Sequence, residues 1–399
     1  MRVITRGLSL LVAMTAIVVA LSLALVPTAL TARQATPDTP TTVQEPGVPM
    51  VRGNAAHTGE MPGPGPVADP EILWQFETGG VRTSPAVVGD TVYVGTLDGF
   101  VVALDRDAGT ERWRFEVGGY ASSPAVADGM VIVGGGGGRL YALDATNGAE
   151  IWSAATSDPS LFSDATIVGG VVYIGGYDTF VYAIDVATGD LIWEFQTGGR
   201  VWIAPAVAEG TVFARSDDGN LYALDATSGQ ERWSVAIGWH NESSSPAVVD
   251  GTVVVGGAEG ITYAFDTATG EERWQVALTG IVDTSPAIVD GVVYIGATEP
   301  QAAGALHALD ASTGSELWRA DVPAGVASSA SIADGVAWFG DWDGVLHAVD
   351  TTTGEERWSL PLDDGYAASA PAVLDGVVYV GAIGTERSHL FAIGGTPSE

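Results

Sequence analysis

Few side chains in this sequence can do chemistry. The 399 residues include no cysteine, which excludes disulfides, thiolate nucleophiles and Cys-ligated zinc. The five histidines show no pair or triplet at metal-ligand spacing. His307 and His347 stand where comparable segments carry Tyr141, Tyr182, Tyr222 and Tyr263, so they read as substitutes at a packing position. His57 reads as structural. Asp341-Trp342-Asp343 offers the hard oxygen donors that calcium takes, but it reads as a solvated turn, and no metal site is expected. Gly134 to Gly138 follow a strand-like run and open no helix, so they form a loose turn and not a phosphate cradle. What remains is a set of aromatic, charged and amide side chains: Arg200, Trp202, Trp239, His240, Asn241, Glu299, Trp342, Asp343 and Arg387. Tryptophans with an arginine and a few acids have the composition of binding hot spots. The chemistry they suggest is recognition, and no catalytic residue is assigned. The competing reading is that these tryptophans only fill gaps in the fold.

The elements that must position them follow from a repeat. Tryptophan recurs at Trp74, Trp113, Trp152, Trp193, Trp233, Trp274, Trp318 and Trp358, and subtraction gives spacings of 39, 39, 41, 40, 41, 44 and 40. A fixed period of this size marks a repeat architecture. Within one period, Ser84-Pro85-Ala86-Val87-Val88 is a short β-prone run. Thr91 to Gly95, Phe100 to Leu104 and Glu111 to Phe115 are three more, separated by Gly89-Asp90, Asp98-Gly99 and an Asp105-to-Gly109 turn. Four β-branched and aromatic runs between Gly/Asp turns predict a four-stranded antiparallel meander, with strands A to D.

Eight such units predict an all-β, eight-bladed β-propeller, which hides its sheet edges by radial repetition. Closure is legible as well. The strand around Trp74 has no partner strands before it, and the last unit, Pro371 to Gly394, lacks a Trp strand after it. The N-terminal strand can therefore complete the C-terminal blade. The A–B and C–D turns then share one rim and are monotonous Gly/Asp turns. The B–C and D–A connections share the other rim, where length and composition vary. Every residue of the recognition set falls on this second rim.

One motif recurs seven times: Ala, an apolar residue, Asp, two or three residues, Gly, three residues, Trp, from Ala103–Trp113 to Ala348–Trp358. Asp bonds its own backbone to open the turn, and Gly takes a positive φ. Trp fills the wedge between blades, where its indole N–H needs a partner. On this motif the chain resembles the quinoprotein-type propellers, the pyrroloquinoline-quinone (PQQ) repeat proteins, over about Glu71 to Gly394. It does not resemble WD40 propellers, because the repeated Trp is never followed by Asp. The segment Arg52 to Gly59 is similar to the lead-in before many such propellers. The resemblance implies eight blades locked by tryptophan docking at the eight repeat tryptophans. It implies three kinds of function: a quinone-dependent dehydrogenase, a non-catalytic scaffold like the subunit of the outer-membrane β-barrel assembly machine, or a sensor ectodomain.

The formal net charge is −33, and every basic residue is Arg. Such a chain should be repelled by nucleic acid and anionic lipid. Its acidity serves solubility or the capture of cations or a basic partner. Arg2 and Arg6 precede an apolar run from Gly7 to Ala32, which predicts an export signal, cleaved or retained as a membrane anchor. The predicted organisation is 1–32 signal or anchor, 33–50 Pro/Thr-rich linker, 51–70 lead-in, 71–395 propeller and 396–399 tail, in an extracytoplasmic monomer. The leading expectation is a scaffold without a cofactor that binds a protein or small ligand on the varied rim. A PQQ- and calcium-dependent dehydrogenase is less favoured, because no inserted cap interrupts the repeat and an adjacent-cysteine ring is impossible.

Overall fold

The computed structural model describes residues 47–155, 163–238, 244–299, 303–362, 365–367, 369–385 and 387–397. They form eight four-stranded antiparallel blades. In each, a three-residue inner strand leads outward through two longer strands to the Trp-bearing outer strand. The inner strands are Ala86–Val88, Ala125–Ala127, Thr166–Val168, Ala206–Ala208, Ala247–Val249, Ala287–Val289, Ser331–Ala333 and Ala372–Leu374. Neighbouring inner strands touch around the axis, and the last touches the first. Among the described residues there is no α-helix, and none is long and apolar enough to cross a membrane.

The second and third strands carry the core because sheets cover them on both faces. Val92, Val94, Val101 and Leu104 in the first blade are fully buried, as are Val378, Val380 and Leu390 in the last. The outer strands alternate instead, as in Glu111–Glu116, where Trp113 is buried and its neighbours are exposed. This is the pattern of an edge with one solvated face.

Each docking tryptophan ties its blade to the next. Trp113 Nε1 donates to the Ala145 carbonyl at 3.0 Å, Trp193 to Ala226 at 2.9 Å and Trp274 to Ala311 at 2.8 Å. In seven of the eight the acceptor is in the third-to-outer-strand turn of the following blade. The motif glycine in that turn lies under the indole. A Cβ on Gly229 would stand 2.6 Å from Trp193, and Gly229 also has φ +71. Backbone conformation and close approach thus both require glycine there. Trp358 differs: its Nε1 donates to the Pro66 carbonyl at 3.0 Å. The last blade has no such turn, because its outer strand, Pro66–Thr78, comes from the other end of the chain. That strand pairs antiparallel with Ser388–Pro397 from Pro66↔Pro397 to Thr78↔Ser388.

The lead-in lines the axis. Gly47–Val48 adds a fifth strand inside the first blade, paired Val48↔Val87. The chain then passes the inner strands in turn. Backbone N–H groups of Val126, Val207, Val248, Ile288 and Ile332 donate to the carbonyls of Pro49, Ala55, Ala56, Thr58 and Gly59. Each donor is the middle residue of an inner strand, whose N–H would otherwise face the channel unpaired. Arg52 is buried beneath the channel floor, with Nη1 on Ala330 O at 2.7 Å and Nη2 on Pro286 O at 2.9 Å. Burial pulls its pKa down to about 9, still high enough to stay charged at neutral pH. His57, fully buried, bonds Thr166 Oγ1 through Nε2 at 2.9 Å. Burial, with nearby Arg52, lowers its pKa to about 3, so it is neutral.

Candidate functional site

Repetition builds a polar funnel on the varied rim. The residue two before the recurring Pro or Ala that precedes each inner strand is a hydroxyl in most blades. It accepts from a glycine N–H in its own second strand: Gly134 to Ser122 at 2.9 Å, Gly256 to Ser244 at 2.9 Å, Gly340 to Ser328 at 2.8 Å. The next residue links blades. Ser84 N donates to Ser123 Oγ, Ser245 N to Ser285 Oγ and Ser285 N to Ser329 Oγ. These hydroxyls ring a cavity of about 610 Å³, floored by Val51 and Arg52.

The ring is broken in three places, one of them the eighth blade, where Ala370 stands at the linking position. In the third blade Asp164 replaces the linking serine, and its Oδ1 accepts from Ser123 N at 2.6 Å. Burial raises the Asp164 pKa above the usual carboxylate range, opposed by the backbone and side-chain bonds from Ser123. In the fourth blade Ile203 and Ala204 replace both hydroxyls, and Arg215 replaces the glycine, buried at 5% exposure. Asp283, further round the funnel, also has its pKa raised by burial, with Arg215 acting in the opposite direction. Tyr120, Tyr177, Trp202, Trp342 and Tyr366 line the walls and mouth.

The recognition residues read from the sequence are distributed unequally. Trp202 and Trp342 line the cavity. Trp202 Nε1 donates to Asp217 Oδ1 at 2.8 Å, and Arg200 Nε donates to Asp217 Oδ2 at 2.7 Å. The Arg200 guanidinium also lies over the Tyr177 ring at 5.4 Å, so Arg200 supports two cavity aromatics without lining the cavity itself. Trp342 is 42% exposed and sits 5.0 Å from Tyr366, centroid to centroid. Glu299 is bound by Arg319 at 2.5 Å, and Arg387 bonds Glu77 at 3.1 Å on the outer strand. Asp343 is exposed beside Trp342. None of these three lines the cavity. Trp239, His240 and Asn241 lie outside the described residues.

Two sequence readings need correction. Asp341 is not in a solvated turn. It is 1% exposed, and its carboxylate accepts from Asp343 N, Val345 N and His347 Nε2 at 2.8–3.0 Å. His347 in turn holds Glu356 through Nδ1 at 2.8 Å, so it is a polar hub and more than packing. Trp338, extra to the repeat, is fully buried against Gly65 of the lead-in. Asp164, Asp283, Tyr120, Tyr177, Tyr366 and Arg52 were missed as cavity residues. The signal for Asp164 was present, since it stands where aligned repeats have serine, as Arg215 stands where they have glycine.

In four blades an arginine of the outer strand pairs with the aspartates of the regular rim. Arg112 bonds Asp90 and Asp105, Arg232 bonds Asp225, Arg273 bonds Asp266 and Arg357 bonds Asp350. The bond from Arg232 draws the Asp225 pKa down to about 2. The lead-in bonds along the inner strands and brings Val51 and Arg52 to the cavity.

Eight tryptophan-docked blades around an axial cavity define an eight-bladed propeller of PQQ-like repeats. A sequence profile described as "Outer membrane protein assembly factor BamB" matches residues 67–175, 138–299 and 302–393, and the chain belongs to that family. A comparison with curated proteins finds no match. Among solved structures, the chain is similar to BamB from Moraxella catarrhalis, at 20% identity and TM-score 0.63 over 81% of this chain and 98% of that one. It is also similar to quinohemoprotein alcohol dehydrogenase from Comamonas testosteroni, at 17% identity and TM-score 0.74 over 89% and 82%. The computationally designed Ika8 protein aligns at 19% identity and TM-score 0.69 over 80% and 99%. At these identities the structural likeness shows the fold.

Proposed function

We propose that this protein is a non-catalytic binding propeller of the cell envelope that works through its varied rim. One observation carries the reading. Several departures from the repeat, Asp164, Trp202, Ile203 and Trp342, line one axial cavity, while the opposite rim keeps the repeat's turn chemistry and the lead-in runs along the inner strands. Repeat scaffolds keep function where the copies differ, as loops on a rigid frame do in general. The family description names an outer-membrane assembly factor, and the apolar run Gly7 to Ala32 suits export, so both favour an extracytoplasmic site.

The quinone-dependent reading fits the cavity poorly. PQQ is a flat quinone bearing three carboxylates, so its slot needs cations and a calcium held by several oxygens. Here both terminal nitrogens of Arg52 are committed to backbone carbonyls. Asp164 and Asp283 set negative charge against a triacid. Among the described residues no group of three carboxylates or histidines could hold a metal.

The test is calorimetric titration of residues 44–399 with PQQ, with and without calcium. No saturable heat from a folded sample is expected. Calcium-dependent binding at micromolar strength or tighter would replace the scaffold reading with the dehydrogenase.

A further inference from the structure

We propose that the axial cavity binds a small organic ammonium ligand, with Asp164 as its counter-ion and the rings of Tyr120, Tyr177 and Trp342 as its walls. The proposal rests on the varied rim being the binding face.

The first argument is the redundancy of a carboxylate at position 164. The scaffold needs only an acceptor for the Ser123 N–H, and a serine hydroxyl supplies one at the equivalent joints, from Ser84 to Ser123 and from Ser285 to Ser329. Asp164 does that work with Oδ1. Its charge is surplus to the fold, since a neutral hydroxyl serves at the equivalent joints. Among the described residues no arginine or histidine forms an ion pair with it. Asp164 is half-buried, and a partly desolvated anion without a cation is costly; that burial raises its pKa. A bound ammonium would relieve that cost by pairing and by charge-assisted hydrogen bonding.

The walls are the second argument. Tyr120, Tyr177, Trp342 and Tyr366 line the same cavity. Aromatic faces attract cations through their quadrupole. The molecule already uses this at Tyr177, where the Arg200 guanidinium lies over the ring. The hydroxyls of Ser84, Ser123 and Ser285 add acceptors for ammonium protons, and about 610 Å³ suits a small organic molecule.

Two arginines also line the cavity, and they do not reverse the preference. Arg52 spends both Nη groups on backbone carbonyls beneath the floor. Arg82 is exposed to solvent, where its charge is screened. The overall charge of −33 draws cations toward the protein.

The experiment is titration of the full chain with three probes of one shape: phenethylamine, phenethyl alcohol and 3-phenylpropionate. Phenethylamine should bind saturably, and the other two should bind at least about tenfold more weakly, as loss of a charge pair in a desolvated site requires. Asp164→Asn keeps an acceptor for Ser123 and removes the charge, so it should cost the amine a similar factor and leave the alcohol unchanged. Trp342→Ala, at an exposed position that the core does not use, should weaken the amine with an unaltered melting curve. Equal binding of all three probes, or no effect of Asp164→Asn, would overturn the ammonium assignment while leaving the cavity a ligand site. No binding by any probe would also overturn it. The binding-rim reading is judged separately by the PQQ titration.

Discussion

At the scale of the residue, function and fold compete for the same positions. His347 stands in a slot that Tyr182 and Tyr222 fill elsewhere, and those tyrosines donate to Asp178 and Asp218 in their own turns. The imidazole instead bridges a buried aspartate and a half-exposed glutamate. Burial opposes its charged form, but the bonds to Asp341 and Glu356 outweigh burial and raise its pKa. A raised folded pKa means that the imidazolium stabilises the fold fully below the unfolded value, about 6.5. That contribution is lost as pH rises through the higher folded value. His347→Gln should therefore flatten the fall in melting temperature from about pH 6.5 upward, measured by scanning calorimetry in a pH series. An unchanged pH profile would remove His347 as a charged hub. His307, with a single glutamate partner and burial dominant, has its pKa lowered and should give no such step.

The blade is a unit of sheet whose outer strand is held by one indole. The motif glycine and the docking tryptophan are a single device, because the glycine both turns the chain and clears the ring. Gly210 and Gly229 belong to the same blade and have similar positive φ, +69 and +71. A Cβ at Gly210 meets nothing closer than 3.9 Å, whereas one at Gly229 meets Trp193 at 2.6 Å. Gly210→Ala should cost about 1 kcal/mol, the penalty of a left-handed conformation. Gly229→Ala should cost roughly 1–3 kcal/mol more, the penalty of overpacking. Urea unfolding of the pair separates the two, and equal losses would show that the indole gives way freely. The same device explains why the regular rim is scaffold: its arginines and aspartates serve their own turns, in exposed pairs that add little stability.

For the whole molecule, closure and capping are done by one continuous stretch. Residues 47–65 run past the inner strands, and Pro66–Thr78 completes the last blade. Arg52 joins the inner ends of the sixth and seventh blades through two carbonyls. Arg52→Met removes both bonds and leaves buried acceptors unpaired, for an expected loss of about 2–4 kcal/mol. Deletion of residues 1–78 removes a whole strand as well and should abolish the single cooperative thermal transition, since the last blade would then expose an unpaired edge. A cooperative melt from that deletion would show that the eight blades close without the N-terminal strand.

The period of tryptophans, the Gly/Asp turns and the orphan strands at the two ends determined the eight blades, their strand order and their closure. Those features are local in sequence, because hairpin chemistry acts over a few residues and repetition extends it. The docking tryptophans were legible for the same reason. Of the recognition set, Trp202 and Trp342 were legible as extras to the repeat, and Arg200 by its place beside Trp202. The cavity itself was decided only by the tertiary structure. Asp164, Asp283 and Tyr120 come from three different connections, and only the ring of blades carries them to one axis. Whether a lone carboxylate is solvated, as expected for Asp341, or enclosed depends on what packs over it, and that is set by neighbours far away in the chain. Burial, and the pKa values that follow from it, therefore belong to the assembled molecule.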